Sequence, residues 1–170
     1  MATEQEWTDL LVKLRGAKRD LLAYVRSVAD GEASLEPGGE WSIKQQIAHL
    51  CHAEEGWLSW ALAAREAPGA EVGDIPGGFR GFTRDVDMAN GHPLHYWITR
   101  LKAEWGRTSR VLATANITLE ELDRKAPHSS GLEMTVLQLL RGMYRHDRMH
   151  GEQMEGKPTS IRPLGSDALS

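Results

Sequence analysis

The sequence predicts an all-α protein built as a four-helix bundle. Four long segments place apolar residues three and four positions apart, the spacing that lines one face of a helix. No segment shows a convincing alternation of apolar and polar residues, the pattern of a half-buried strand. The 170 residues are enough to bury one apolar core, and no repeat of solenoid length is present. Helices without a sheet bury their apolar faces against one another, so a bundle is the predicted architecture.

The first two helices follow from apolar periodicity and from the residues at their ends. The first runs to about Gly31, and the second begins after Ser42, which forms a capping box with Gln45. The second helix continues to Pro68-Gly69. The apolar residues of the first are Trp7, Leu10, Leu11, Leu14, Leu21, Val25 and Val28, and those of the second are Ile43, Ile47, Leu50, Trp57, Leu58 and Ala61.

A glycine-rich stretch, residues 69–91, has little periodicity and is predicted to be a long loop. The third helix follows from Pro93 to about Ala115, since proline is tolerated in a first turn. Thr118 and Glu121 predict a short turn. The fourth helix opens near Leu132 or Thr135, with Thr135 and Gln138 as a further capping box, and Gly156-Lys157-Pro158 ends it. We therefore expect one domain over residues 1–156 and a loose tail over 157–170.

Composition and charge argue against some kinds of binding partner for this protein. The net charge of −4 provides no basic field of the kind that binds nucleic acid or anionic lipid. No apolar segment is long enough to span a bilayer, and the N-terminus lacks the pattern of a secretory signal. The single cysteine, Cys51, excludes an intrachain disulfide. We expect a cytoplasmic protein that acts on a small molecule, without nucleic-acid or membrane partners.

Two histidines share the apolar face of the fourth predicted helix. On an ideal helix His146 lies about −40° from His150, with Met143 near 20° and Leu139 near −20°. Histidines at positions i and i+4 occupy adjacent turns of one face, where they can bind the same ion. His49 on the second helix is the best third ligand, although it lies at the edge of that helix's apolar stripe. An edge position favours an open metal site that substrate can reach.

The histidine pattern also has a purely structural interpretation, in which these imidazoles form hydrogen bonds inside the core. His52 is expected to face solvent, while His92, His95 and His128 lie in or beside loops. Asp147 could orient an imidazole or form a surface ion pair with Arg145 or Arg148. Glu54 could serve as a general base or belong to a buried ion pair.

Other chemistries find less support in the sequence. Cys51 is expected on the polar side of the second helix, and its neighbour His52 points about 100° away, so the two do not form a nucleophile and base. The glycine-rich stretch contains no phosphate-binding motif. The paired Glu-x-x-His motifs of di-iron bundles are also missing.

Two segments resemble the DinB-like superfamily: residues 41–50, WSIKQQIAHL, and residues 139–150, LLRGMYRHDRMH. The resemblance spans about residues 5–156. It implies a four-helix bundle with a long crossover connection, often paired as a homodimer. It also implies that His49, His146 and His150 hold a divalent ion such as nickel, zinc, manganese or iron. Gln45 and Gln46 depart from the pattern, because relatives often carry an acidic residue there.

The resemblance also implies a function. Characterised relatives include transferases and isomerases that use low-molecular-weight bacterial thiols, so transfer of such a thiol to an electrophilic small molecule is the function expected here. Two alternatives stay open: a metal-dependent hydrolase, and a non-catalytic, stress-associated bundle that binds metal. An ion with open positions lowers the pKa of a bound thiol or water, which serves either reaction.

Overall fold

A computed structural model describes residues 1–73 and 78–161, with the backbone alone at 78–81. The helices within these ranges are α1 (Glu4–Val25), α2 (Ile43–Glu66), α3 (Gly78–Asp87), α4 (Leu94–Thr114), α5 (Leu119–Leu122) and α6 (Val136–Met154). Two short antiparallel strands, β1 (Lys125–Pro127) and β2 (Glu133–Thr135), precede α6 and pair with Ala126 opposite Met134. Single 3₁₀ turns occupy Glu32–Ser34, Pro37–Gly39 and Ala89–Gly91.

The four long helices, α1, α2, α4 and α6, form the predicted four-helix bundle. Helix α2 packs against α6 and α4, and α1 packs against α6 and, less extensively, α4. Helices α1 and α2 are therefore diagonal neighbours, and the segment that joins them, residues 26–42, crosses one end of the bundle. It is a long crossover connection of the kind that the sequence resemblance implies. Helix α3 packs on the outside of α2.

Side-chain caps begin most of these helices. Ser42, Thr118 and Thr135 each accept a hydrogen bond from the backbone N–H three residues later, and Gln45, Glu121 and Gln138 return the bond. The two capping boxes predicted at Ser42 and Thr135 are thus confirmed, and the short turn predicted at Thr118 also begins with a capping box. Thr3 and Glu6 form a fourth box, which begins α1. Each box satisfies two backbone donors that a helix start leaves free.

The structure corrects three predictions about the elements. Helix α1 ends at Val25, six residues before Gly31, and Asp30 beyond it binds Lys44 and the backbone N–H of Leu94. These tertiary contacts hold Asp30 in a position that is not part of the helix. The predicted loop 69–91 contains helix α3, whose Val86 is 5 % exposed. Packing on α2 therefore stabilises this helix in spite of the low helix propensity of its glycines. The strands β1 and β2 were not predicted, because three residues are too few to show alternation.

The division into a domain at 1–156 and a loose tail at 157–170 stays a prediction, and residues 162–170 lie outside the described part. Within that part, no helix combines the length and the apolar character needed to cross a membrane.

Helices α2 and α6 approach closely where Gly142 faces Trp57. A Cβ atom added at Gly142 would lie 2.5 Å from Cζ3 of the Trp57 ring, a separation that side chains cannot adopt. The ring is only 7 % exposed and is held among core residues, so it has no free space to move into. Glycine at position 142 therefore sets how closely α6 packs on α2.

We expect Gly142→Ala to destabilise the protein by about 1–3 kcal/mol, because the added methyl group overpacks the α2–α6 interface. Gly16→Ala in α1 is a matched control, since nothing lies within 4 Å of its added Cβ. That control should stabilise the helix by roughly 0.5–1 kcal/mol. Urea denaturation of both variants measures the difference. Equal midpoints for the two variants would contradict the close-packing explanation.

Candidate metal centre

Three histidines from two helices converge one turn beyond the Gly142–Trp57 contact. His146 follows Gly142 by four residues on α6, His150 lies one further turn along, and His49 comes from α2. Because α2 and α6 pack so closely before this point, short imidazole side chains can meet between them. The structure thus brings together the three histidines that the sequence singled out.

The imidazole nitrogens lie at distances suited to a shared ion. Nε2 of His49 is 3.0 Å from Nε2 of His146, and one nitrogen from each of the three rings lies within 4.8 Å of the others. The ring centroid of His150 lies 4.8 Å from that of His49 and 4.6 Å from that of His146. Two nitrogens bound to one zinc-like ion at about 2.0–2.1 Å are roughly 3.4 Å apart in tetrahedral geometry. The arrangement therefore needs little movement to bind such an ion.

Burial keeps the three imidazoles neutral at pH 7. Desolvation, aided by His52, lowers the pKa of His49 to about 4. Desolvation, aided by His49, lowers the pKa of His150 to about 3. The pKa of His146 also lies well below its ordinary value, because burial disfavours its charged form and the other two rings add repulsion. Neutral imidazole is the form that binds metal, so no proton has to be displaced.

The donor set fits a divalent first-row ion. Two facing Nε2 atoms at 3.0 Å can share only one hydrogen bond between neutral rings, whereas an ion would use a lone pair from each. Three nitrogen ligands suit zinc, nickel or iron better than the oxygen-preferring calcium or magnesium. Among the described residues, no carboxylate or thiolate joins this group of ligands. Three protein ligands leave coordination positions for another molecule.

Aromatic side chains surround the histidines. The rings of Trp41 and Phe82 lie 5.3 and 5.1 Å from that of His49, and the Trp57 ring lies 6.5 Å from that of His146. Trp41 is 39 % exposed, which is unusual for so large an apolar side chain next to a polar cluster. The centre therefore has an apolar edge that reaches the surface, in agreement with the edge position predicted for His49.

A buried charge cluster lies beside the histidines at the middle of the bundle. Nζ of Lys18 is 2.8 Å from both carboxylate oxygens of Glu54 and 3.3 Å from Oδ2 of Asp147. The same ammonium lies over the Trp105 ring, 4.8 Å from its centroid. Lys18, Glu54, Trp105 and Asp147 belong to α1, α2, α4 and α6, so every long helix contributes one member. Burial, with the Glu54 charge adding to it, raises the pKa of Asp147 above its ordinary value.

This cluster decides between the roles considered for Glu54 and Asp147. Glu54 forms the buried ion pair, as one of its two predicted roles required. The prediction for Asp147 was wrong, because it is 2 % exposed and binds Lys18, not an imidazole or a surface arginine. Lys18 itself was missed, although it continues the apolar spacing from Leu14 to Leu21 and this pattern could have revealed it.

Two further residues of α2 differ from their predicted environments. His52 was expected to face solvent, but its Nε2 lies 2.9 Å from Oδ2 of Asp85 on α3, which also binds Arg100. Cys51 was expected on a polar side, but it is 2 % exposed, and burial raises the pKa of its thiol to about 12. Both differences arise because α3 and α4 cover faces of α2 that would otherwise meet solvent.

The remaining histidines stay outside the cluster. His128 lies at the β1–β2 hairpin, where its Nδ1 accepts the backbone N–H of Ser130. His92 and His95 lie just before and at the start of α4. One contact that sequence reasoning missed is that of Gln46, whose Oε1 lies 3.2 Å from Nδ1 of His150.

Comparisons with known proteins agree with this architecture. The family model of the DinB superfamily matches residues 13–154. A solved structure of YfiT from Bacillus subtilis, described as a probable metal-dependent hydrolase with an unusual four-helix bundle topology, superposes with a TM-score of 0.74 at 14 % identity. That match covers 92 % of this chain and 87 % of YfiT. No curated protein sequence matches the chain.

A mycothiol-dependent maleylpyruvate isomerase is a second structural neighbour. It superposes with a TM-score of 0.69 at 11 % identity, over 86 % of this chain and 60 % of the isomerase. A mutant of a mycothiol-dependent maleylpyruvate isomerase gives a TM-score of 0.70 at 10 % identity, covering 91 % of this chain and 64 % of the mutant. The chain therefore spans less than two thirds of these enzymes. At such low identity the likeness shows a shared fold.

We expect Lys18→Met to destabilise the protein by about 3–5 kcal/mol, because it leaves Glu54 and Asp147 buried without their cation. Lys102→Met, at an exposed position on α4, is the control and should change stability by less than about 0.5 kcal/mol. Denaturant unfolding measures both. Adding Glu54→Gln to Lys18→Met should recover part of the loss, and an unchanged midpoint in Lys18→Met would contradict the assignment.

The lowered histidine pKa values predict a loss of stability in acid. A base whose pKa falls on folding takes up protons when the chain unfolds, so its contribution is complete above about pH 6.5 and declines as pH falls towards the folded value. For His150 this decline extends from about pH 6.5 down to about pH 3.

Between pH 6 and 5, wild type should therefore lose about 1 kcal/mol more stability than His150→Gln, since one histidine contributes up to about 1.4 kcal/mol per pH unit. Urea midpoints in the presence of a chelator measure this difference. Gln153→Met, at an exposed position on α6, removes no titratable group and should keep the wild-type pH dependence. Parallel curves for wild type and His150→Gln would show that folding does not lower the pKa of His150.

Proposed function

Because the chain belongs to the DinB superfamily, we propose that it is a metal-dependent enzyme in which His49, His146 and His150 hold one divalent ion. The convergence of three neutral imidazoles within 4.8 Å is the observation that carries this proposal. The description of YfiT as a probable metal-dependent hydrolase supports a metal in this fold.

The proposed reaction is transfer of a low-molecular-weight thiol to an electrophilic small molecule. The mycothiol dependence of the neighbouring isomerase supports a thiol as co-substrate. A divalent ion with open positions favours the thiolate form of a bound thiol, which is the nucleophile. The chain itself supplies no such nucleophile, because its single cysteine, Cys51, is buried and its pKa is raised to about 12. The reacting thiol must therefore come from outside the protein.

The residues around the centre have separate roles in this proposal. The three imidazoles supply neutral ligands, and Trp41 and Phe82 provide an apolar wall beside His49 for the carbon part of a substrate. Since Trp41 is partly exposed, an incoming molecule can contact its ring from solvent. Its ring can also help to exclude water from the thiol once a substrate is bound.

Metal-assisted hydrolysis is the second candidate, and the likeness to YfiT favours it. The same three ligands would then activate water instead of a thiol. A non-catalytic metal-binding role is the third outcome of the tests below.

Metal binding is tested with untagged protein loaded with zinc or nickel. We expect about one ion per chain by elemental analysis. His146→Ala should lose that ion, because the two imidazoles that remain are too few to hold it. His92→Ala, which removes a histidine outside the cluster, should bind as wild type does. Full binding by His146→Ala, or no ion in wild type, would refute the metal centre.

Thiol transfer is tested with monobromobimane as electrophile and mycothiol and other bacterial thiols as donors. Formation of the bimane adduct should require the ion, stop with a chelator and fall at least 100-fold in His146→Ala. Cys51→Ala should keep the activity, which excludes the protein's own thiol as the nucleophile. Hydrolysis of ester or amide substrates without thiol dependence would instead support the second candidate, and neither activity would support a non-catalytic role.

A further inference from the structure

Gln46 connects the candidate metal centre to the start of α2. It lies on α2 one turn before His49 and is 8 % exposed, and His150 opposite it on α6 is 5 % exposed. Its side-chain amide makes two contacts. Nε2 donates to the backbone carbonyl of Trp41 at 3.2 Å, and Oε1 lies 3.2 Å from Nδ1 of His150.

The first contact fixes the orientation of the Gln46 amide. A carbonyl oxygen only accepts hydrogen bonds, so the NH₂ group of Gln46 must face Trp41. The amide oxygen is then the atom that faces His150. Turning the amide over would bring two oxygens together at Trp41, and the observed orientation is the one that satisfies both ends.

The second contact then fixes the proton on His150. Since Oε1 of Gln46 can only accept, Nδ1 of His150 must donate and therefore carries the hydrogen. In a neutral imidazole the other nitrogen, Nε2, is then unprotonated and keeps its lone pair for an ion. A hydrogen bond of this kind commonly orients a metal-binding histidine and makes it a better ligand.

We propose that Gln46 is a positioning residue that holds His150 in the tautomer and orientation needed to bind the ion. This proposal rests on the proposed metal centre. Gln46 acts through His150 and does not itself reach an ion. His49 has no equivalent support among the described residues, because its buried Nδ1 has no hydrogen-bond partner. The centre thus combines one histidine whose Nδ1 is held by Gln46 with another whose Nδ1 has no such support.

The neutral amide suits this buried position. A carboxylate there would also accept from Nδ1, but it would place a charge without a counter-ion at a position that is only 8 % exposed. Glutamine gives the same oxygen acceptor without that charge. Gln46→Met removes both contacts at similar size, whereas Gln46→Glu keeps the oxygen that accepts from His150 and loses only the donor to Trp41. The difference between the two variants therefore isolates the contact with His150.

The first experiment reads the tautomer without any metal. Long-range ¹H–¹⁵N spectra of ¹⁵N-labelled, chelator-treated protein distinguish a protonated Nδ1 from a protonated Nε2. We expect His150 to carry its proton on Nδ1 in wild type and to shift towards Nε2 in Gln46→Met. A wild-type His150 protonated on Nε2 would overturn the proposal, whatever the protein does with metal.

The second experiment measures zinc affinity by competition with a chromophoric chelator. Gln46→Met should bind about 10–100-fold more weakly than wild type. Gln46→Glu should bind at least ten times more tightly than Gln46→Met, and Gln153→Met, at an exposed position on α6, should bind as wild type does. Thermal unfolding of each metal-free variant confirms that it is folded.

The outcomes separate the two proposals. Equal zinc affinity for wild type and Gln46→Met would overturn the role of Gln46 and leave the metal centre intact. Failure of wild type to bind zinc or nickel would overturn the metal centre, and the role of Gln46 with it. Weak binding by both Gln46→Met and Gln46→Glu would assign the effect to packing and would also refute the positioning role.

Discussion

The ammonium group of Lys18 is a point at which all four long helices meet. It lies between carboxylates from α2 and α6 and over an aromatic ring from α4, while its own backbone belongs to α1. A buried charge is stable only when it is paired, so the four helices must keep the register that brings these groups together. Apolar burial drives the helices together, and this cluster restricts how they can slide or rotate. Asp147 adjoins His146 in sequence, so the same restriction applies to the histidines.

The candidate metal centre depends on a second feature of the same interface, the approach of α2 to α6 at Gly142. Imidazole side chains are short, so three of them can share an ion only if their helices lie close together. The glycine permits this separation, and the Trp57 ring fills the remaining space. Burial then lowers the histidine pKa values and leaves neutral ligands, whose proton positions depend on neighbours such as Gln46. The close packing of α2 on α6 thus determines both the geometry of the three histidines and their protonation state.

Much of the architecture could be predicted because it is recorded in local patterns. The spacing of His146 and His150, the apolar stripes of the long helices and the capping boxes all depend on residues within a few positions of one another. The environments of Cys51 and His52 depend instead on α3, which has glycines and a weak periodic signal and is stabilised by packing. Lys18 and Asp147 were hidden for another reason. A charged residue is expected at the surface, and only the tertiary arrangement shows that each has a buried partner.

The contact between Gly142 and Trp57 has an evolutionary consequence. Positions 142 and 57 share one volume between two helices. A larger residue at 142 demands a smaller one at 57 or a wider separation of α2 and α6, and the latter would spread the histidines apart. Across related sequences that retain three such ligands, these two positions should therefore covary in size, and their pairing would distinguish lineages with a compact centre from those that have lost it.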